Sequence, residues 1–270
     1  NTMSQNLTDK VRSFFLAKSV SENTRLSSDF DLLEMPMEAV LAYWLSIKKV
    51  LEAKGQAFLR EERQNTSEPY VSHLLGLLQS SLSSDRMERF GLIKKQAILR
   101  DFQRKFILMS ISLLGMSTNE NPQKVLLRII SKFPISPIYE KQVFDAAAAV
   151  LKKMDEGGLN RDKFFNIDHR MKIESLILNL IIYNMLARRL GKRELGDFIE
   201  NIRSFYFAEG VSLIIDGFDY DFIKHRLNLQ KKEIMDLTES KMDMSLYMCS
   251  GIKSGLSYDD LQLIGSSYLL

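Results

Sequence analysis

The chain has 270 residues, of which 45% are hydrophobic and 26% are charged; these are ordinary proportions for a folded protein and exclude a largely disordered one. Its 37 basic and 34 acidic residues leave a net charge of +3, which is too small for a general nucleic-acid-binding or anionic-membrane surface. With 13 glycines and 5 prolines, the chain has few of the turn residues that a β-sandwich or barrel needs. We therefore predict an all-α fold, a multi-helix array or bundle with two helical subdomains.

In the first half of the chain, apolar residues recur at spacings of three and four, which is the pattern of amphipathic helices. Pro36 stands where its fixed φ suits the first turn of a helix. Asn121 and Pro122 mark a second helix start, with asparagine as the cap. We predict helices over residues 7–20, 37–63, 70–81, 84–116 (with an alternative break near Gly91) and 123–132.

Residues 133–137 read Phe-Pro-Ile-Ser-Pro and cannot be helical throughout, because each proline restricts the residue before it. This segment is the predicted boundary between an N-terminal helical module, residues 1–133, and a C-terminal helical module, residues 137–270. A short apolar run over 210–216 ends at Gly217. In the second module we predict helices over residues 137–154, 168–190, 197–208, 219–247 and 257–269.

The two longest uncharged runs, 106–119 and 175–187, contain serine or asparagine and are shorter than the roughly 18 apolar residues of a membrane span. We expect no span, while peripheral association with a membrane stays open. The single cysteine, Cys249, excludes an internal disulfide. Together with a start that lacks the basic and apolar parts of a secretory signal, it favours a cytoplasmic protein.

The three histidines, His73, His169 and His225, have no partner at metal-ligand spacing within their own helices. His73 lies beside leucines and is predicted to be a core or boundary residue. Asp168 precedes His169, but neighbouring residues of a helix face different ways, so we interpret Asp168 as a helix N-cap. An enzyme with a buried site near Asp168, His169 and Arg170 is kept as an alternative.

Other chemically suggestive residues have plainer explanations. Asp216, Asp219 and Asp221 lack the glutamate that a calcium loop requires at its twelfth position, and they indicate a turn. Cys249 lies among methionines and is predicted to be a buried, inert thiol. The sequence therefore predicts a protein that is not an enzyme, with no cofactor and no metal.

Two clusters of cations are candidate binding surfaces. For both, we favour solvated helix faces, then binding of an acidic protein, and only third a nucleic acid. The second cluster ends an apolar helix, where cations complement the helix dipole. The clusters are Lys94, Lys95, Arg100, Arg104 and Lys105, and Arg188, Arg189, Lys192 and Arg193.

One ordered series of motifs stands out in the C-terminal part. Residues 186–195 read Leu-Ala-Arg-Arg-Leu-Gly-Lys-Arg-Glu-Leu, and residues 207–219 read Phe-Ala-Glu-Gly-Val-Ser-Leu-Ile-Ile-Asp-Gly-Phe-Asp. A long helix with Lys-Glu-Ile-Met at 232–235 follows. Residues 182–240 thus resemble the cytoplasmic segment of MotA-type flagellar stator subunits, in which Ala-Arg-Arg-x-Gly precedes a short helix, an apolar stretch ending in Asp-Gly, and a long helix.

Subunits of that family carry two membrane spans on each side of this segment. This sequence shows none, so the resemblance implies contact with a motor component and does not imply ion conduction. Three charged residues stand where the family's rotor-contacting charges lie, and Lys192 and Arg193 complete the predicted partner-binding set. The three residues are Arg188, Arg189 and Glu194.

The predicted function is protein–protein contact in the bacterial cytoplasm, in a flagellar or related membrane motor with a rotor or stator component as partner. No nucleic acid is expected, and the oligomeric state is left open. A structural role is an alternative for the arginines, because Arg188 and Arg189 could pair with Asp197 or Glu200 across the Gly191 turn. The alternative for the whole chain is a helical adaptor or secreted effector unrelated to motors.

Overall fold

The computed structural model describes residues 30–269, which contain eleven α-helices, one 3-10 helix and no β-strand. The prediction of an all-α fold is therefore confirmed. The predicted helix over 7–20 lies outside the described residues. The elements are α1 (Met37–Lys54), α2 (Gln56–Asn65), α3 (Pro69–Gln79), α4 (Ser84–Ser117), α5 (Pro122–Ile130), α6 (Glu140–Glu156), α7 (Arg161–Phe164), α8 (Ile173–Leu190), the 3-10 helix (Arg193–Asn201), α9 (Phe205–Ile215), α10 (Tyr220–Lys253) and α11 (Tyr258–Ser266).

Capping residues fix several helix starts at the positions that the sequence predicts. Helix α1 begins directly after Pro36. The Asn121 side chain accepts a hydrogen bond from the Gln123 backbone, with Pro122 as the first residue of α5. The Ser257 side chain accepts from the Asp260 backbone and caps α11. These side chains satisfy backbone N–H groups that have no partner within the helix.

Three predicted helices are divided or begin later in the structure, and a fourth, predicted over 219–247, continues to Lys253 as α10. The segment 37–63 is two helices because Gly55, with a φ of +72°, ends α1. The helix predicted from Asp168 begins at Ile173, so Asp168 is not its cap. The helix predicted over 197–208 is divided between the 3-10 helix and α9, and the apolar run 210–216 lies in the second half of α9 and its C-cap.

The described residues form two compact units, residues 30–91 with 244–269, and residues 92–243. Both changes of unit fall inside a 34-residue helix, α4 or α10. The predicted boundary at 133–137 lies within the second unit, in the connection between α5 and α6.

The first unit buries its aromatic residues around α1 and α3. Trp44 and Tyr70 are fully buried, and α11 packs on α1 while α2 packs on α3. Tyr43 donates a hydrogen bond to a Glu62 carboxylate oxygen at 3.1 Å, and both residues are buried. Burial raises the pKa of Glu62 above its ordinary value, although the Tyr43 hydrogen bond acts in the opposite direction.

The second unit is organised around α8, which is buried along most of its length. Helices α5 and α6 and the 3-10 helix pack against it. The Asn179 amide donates to the backbone oxygens of Lys163 and Asn166 at 3.0 and 2.8 Å. The Tyr183 hydroxyl donates to the backbone oxygen of Phe165 at 2.7 Å. These bonds hold the segment 163–166 against α8.

Among residues 30–269, no helix combines the length and the apolar character needed to cross a membrane. The apolar stretch within 175–187 belongs instead to the buried helix α8. Its two asparagines are buried and hydrogen-bonded.

We predict that Tyr183→Phe lowers the free energy of unfolding by about 1–2 kcal/mol, because it removes a buried hydrogen bond and leaves a carbonyl without its donor. Urea denaturation followed by circular dichroism measures the change. Tyr139→Phe is the matched control, because Tyr139 is exposed. Equal losses of stability in the two variants would contradict the prediction.

We also predict that Glu62 makes stability depend on pH. Because the pKa of Glu62 is raised on folding, its contribution is complete below the ordinary pKa of 4.5 and is lost as the pH rises through the folded-state pKa. The natural chain should therefore lose stability as the pH rises from about 4 to about 7, whereas Glu62→Gln should not show this loss. The free energy of unfolding of the variant, relative to that of the natural chain, is thus expected to increase with pH. Urea denaturation at both pH values measures it, with the exposed neighbour in Glu61→Gln as control. A difference that does not grow with pH would refute the assignment.

Candidate functional site

The predicted partner-binding residues lie at the corner where α8 ends and the 3-10 helix begins. Gly191 makes this turn with a φ of +104°, a conformation that only glycine adopts readily. Its backbone N–H donates to the Ala187 oxygen at 3.2 Å and so closes α8. We call the exposed set Arg188, Arg189, Lys192, Arg193 and Glu194 the α8 corner.

Two of the four cations of the α8 corner are occupied by contacts within the second unit. One Arg189 guanidinium nitrogen donates to both carboxylate oxygens of Asp155, on α6, at 2.7 Å. The Lys192 ammonium group donates to the Ser117 backbone oxygen at the end of α4, at 2.5 Å. The alternative pairing of Arg189 with Asp197 or Glu200 is therefore wrong, because Asp155 takes that place. Both contacts tie the corner to neighbouring helices.

The other two cations, Arg188 and Arg193, are exposed. Neither makes an ion pair or hydrogen bond with any residue in the range 30–269. The pairing of Arg188 that the sequence allowed is thus not formed there. The Glu194 carboxylate folds back over the turn, since a Cβ atom added at Gly191 would lie 2.9 Å from one of its oxygens. The corner thus presents two arginines that are available to a partner.

A cleft of about 640 Å³ lies between the loop that follows α6 and the 3-10 helix. Arg161 lines it, but its guanidinium group donates to the Asp197 backbone oxygen at 2.7 Å and lies 4.8 Å from the centre of the Phe198 ring. The one arginine of the cleft is therefore committed to the fold. The sequence gives no signal for this cleft, because its walls come from segments about 40 residues apart.

The glycines and acidic residues of the second motif have structural roles. A Cβ atom at Gly210 would lie 2.4 Å from a methyl group of Leu113, which is fully buried, so α9 can approach α4 only with glycine there. Glu209 accepts from Arg226 at 2.8 Å and from Gln230 at 2.7 Å. Gly217, with a φ of +79°, follows the C-cap of α9. These positions explain the motif by packing.

Asp168 and His169 lie in a turn that precedes α8, and the spacing argument for a helix therefore does not apply to them. The Asp168 carboxylate accepts from the Arg170 backbone at 3.0 Å and pairs with its guanidinium group at 3.1 Å. His169 Nδ1 lies 3.4 Å from the same carboxylate, and the imidazole packs edge-on against Phe102. The arrangement stabilises the turn.

The first cationic cluster is divided between the core and the surface. Lys95 is buried and pairs with Asp243 at 2.7 Å and with Glu239 at 3.1 Å. Lys105 is buried as well, and it pairs with Asp101 at 2.7 Å and donates to the backbone oxygen of His169. Interpreting the whole cluster as a solvated face is therefore wrong. Two of its five cations are unavailable to a nucleic acid.

Three further predictions concern single residues. Cys249 is fully buried, its sulfur lies 3.5 Å from the Leu74 backbone oxygen, and burial raises its pKa, so the prediction of a buried thiol is confirmed. His73 is half-buried on α3. Asp219, which the sequence places in a turn, accepts from the Phe222 backbone at 2.9 Å and so caps the start of α10.

No protein-family model matches this chain, and neither a curated protein nor a solved structure matches it. The resemblance of residues 182–240 to stator subunits thus stays a prediction based on the sequence motifs.

We predict that Gly191→Ala destabilises the protein by about 1–3 kcal/mol, because alanine is strained at this φ and its Cβ would displace the Glu194 carboxylate. Thermal or urea unfolding measures the loss. Gly196→Ala is the control, since the nearest atom that its Cβ would meet is 3.9 Å away. A loss at position 191 no larger than that at 196 would argue against a strained turn.

Proposed function

We propose that this chain is a non-enzymatic helical protein that acts through protein–protein contacts. The α8 corner would bind carboxylate groups on an acidic surface of the partner. The single observation that carries the proposal is the exposure of Arg188 and Arg193 without a partner in the described part of the chain. Each guanidinium group can donate two parallel hydrogen bonds to one carboxylate.

The other residues of the α8 corner support this proposal, because they hold the backbone that carries Arg188 and Arg193. Arg189 and Lys192 anchor the end of α8 to α6 and α4, and Gly191 fixes the turn between the two arginines. A partner therefore meets cations whose backbone is already ordered, which lowers the entropy cost of binding. Exposed charges of this kind contribute chiefly to the association rate and to specificity.

The narrower form of the proposal comes from the sequence resemblance. It names a flagellar or related membrane motor as the setting and a rotor or stator component as the partner. The alternative, a helical adaptor or secreted effector without connection to motors, keeps the same binding chemistry and changes only the partner.

The binding proposal is tested with the full chain carrying Arg188→Glu and Arg193→Glu. Two probes are used, a purified flagellar rotor subunit and poly-glutamate as a generic acidic polypeptide. We expect the double variant to bind both probes at least about tenfold more weakly, because exposed cation–carboxylate contacts are lost and replaced by repulsion. Biolayer interferometry at low and high salt measures the affinity.

The control variant carries Arg86→Glu and Arg89→Glu, which change two exposed arginines of α4 in the first unit and give the same change in net charge. Equal weakening by the two double variants would show that only net charge matters and would overturn the α8 corner as the site. Binding to poly-glutamate without binding to the rotor subunit would reject the motor setting and favour the adaptor. Binding of neither probe by the natural chain would reject the proposed function.

A further inference from the structure

The connection between α5 and α6 carries large apolar side chains that are exposed to solvent. Ile135 is 84% exposed and Tyr139 is 76% exposed. Leu127, on the exposed side of α5, is 53% exposed. Single exposed apolar residues are common on protein surfaces. Ile135 and Tyr139, however, are both large and lie only four residues apart, so together they form a local apolar surface. We call residues 131–139 the apolar loop.

Local contacts give the apolar loop a defined backbone. The Phe133 backbone N–H donates to the Ile130 oxygen at 3.0 Å, and the Arg104 guanidinium group lies 5.1 Å from the centre of the Phe133 ring. The Ser136 hydroxyl donates to the Ile138 oxygen at 2.7 Å. Two prolines, Pro134 and Pro137, restrict φ further. Ile135 and Tyr139 are thus displayed by an ordered loop.

The apolar loop is flanked by an excess of positive charge. Residues 120–141 contain four cations and two carboxylates. Of these, Arg128 pairs with Glu120 at 2.8 Å. The other three cations are exposed and form no ion pair with residues in the described range; they are Lys124, Lys132 and Lys141. Exposed apolar side chains with exposed lysines nearby in the sequence are typical of proteins that bind an anionic lipid surface.

We propose that the apolar loop inserts into the interfacial layer of an anionic membrane, with Ile135 and Tyr139 entering the layer and Lys124, Lys132 and Lys141 contacting lipid phosphates. A lipid layer fits these features because single protruding side chains need no matching pocket there. Tyrosine also favours the boundary between headgroups and acyl chains. The attachment is peripheral, and it concerns a different surface from the α8 corner.

The test uses the full chain and vesicles of two compositions, pure phosphatidylcholine and equal parts of phosphatidylcholine and phosphatidylglycerol. We expect sedimentation with the mixed vesicles only, with a loss of binding at high salt because charge attraction is screened. Ile135→Ser combined with Tyr139→Ser should weaken binding roughly tenfold, since it removes the inserted apolar surface without changing the net charge.

Two control variants show whether binding depends on this loop or on any exposed leucine or lysine of the chain. Leu263→Ser changes a side chain that is 71% exposed in the first unit and should leave binding unchanged. Lys132→Glu with Lys141→Glu should abolish binding, whereas Lys152→Glu with Lys153→Glu, which changes two exposed lysines of α6, should reduce it much less. Urea denaturation establishes that each variant is as stable as the natural chain.

Insertion itself is measured with Tyr139→Trp. The natural chain has one tryptophan, Trp44, which is fully buried, so a blue shift of emission on adding mixed vesicles reports the new residue. No sedimentation with mixed vesicles, no blue shift, or equal binding by the serine double variant would each overturn the proposal. Binding lost only with the lysine variants would show surface attraction without insertion and would also overturn it.

Discussion

The second unit depends on where helix α8 directs the hydrogen-bond donors of the polar side chains that it carries into the core. Asn179, Tyr183 and Asn184 are buried on this helix, and a buried polar group without a partner costs more free energy than its hydrogen bond returns. Asn179 and Tyr183 bond to backbone oxygens of the segment 163–166. Asn184 donates to the Ser112 hydroxyl on α4 at 2.7 Å. The same side chains that interrupt the apolar pattern therefore position the elements around the helix.

This constraint extends to the α8 corner. The rings of Phe165 and Phe198 lie 4.6 Å apart, and that of Tyr183 lies 6.4 Å from each, so the 3-10 helix packs on the aromatic cluster that α8 supports. The turn at Gly191 joins α8 to the 3-10 helix, and both of these elements pack in the second unit. Arg188 lies on the buried helix α8, and Arg193 begins the 3-10 helix that packs against it, so packed elements fix the backbone of both arginines although their side chains are in solvent.

The sequence predicts most helices correctly, but it does not predict which charged side chains are buried or paired. Caps such as Asn121 and Ser257 act locally, and local chemistry can be predicted from neighbouring residues. Lys95 and Lys105 were predicted to be solvated, but they are buried because their partners, including Asp243 and the His169 backbone, come from distant parts of the chain. The Arg189–Asp155 pair was missed for the same reason, since 34 residues separate them. The apolar loop was missed because its prolines suggested a boundary and its exposure depends on the packing of α5 and α6.

The position of the single tryptophan determines what different optical probes can distinguish. Trp44 is buried in the first unit, and the second unit contains no tryptophan. Tryptophan fluorescence therefore follows the loss of structure around α1, whereas far-ultraviolet circular dichroism follows helices throughout the chain. Coincident transitions would indicate that the chain unfolds in one cooperative step, and separate ones would resolve the two units. Trp44 is thus an intrinsic fluorescent probe for the unfolding of the first unit.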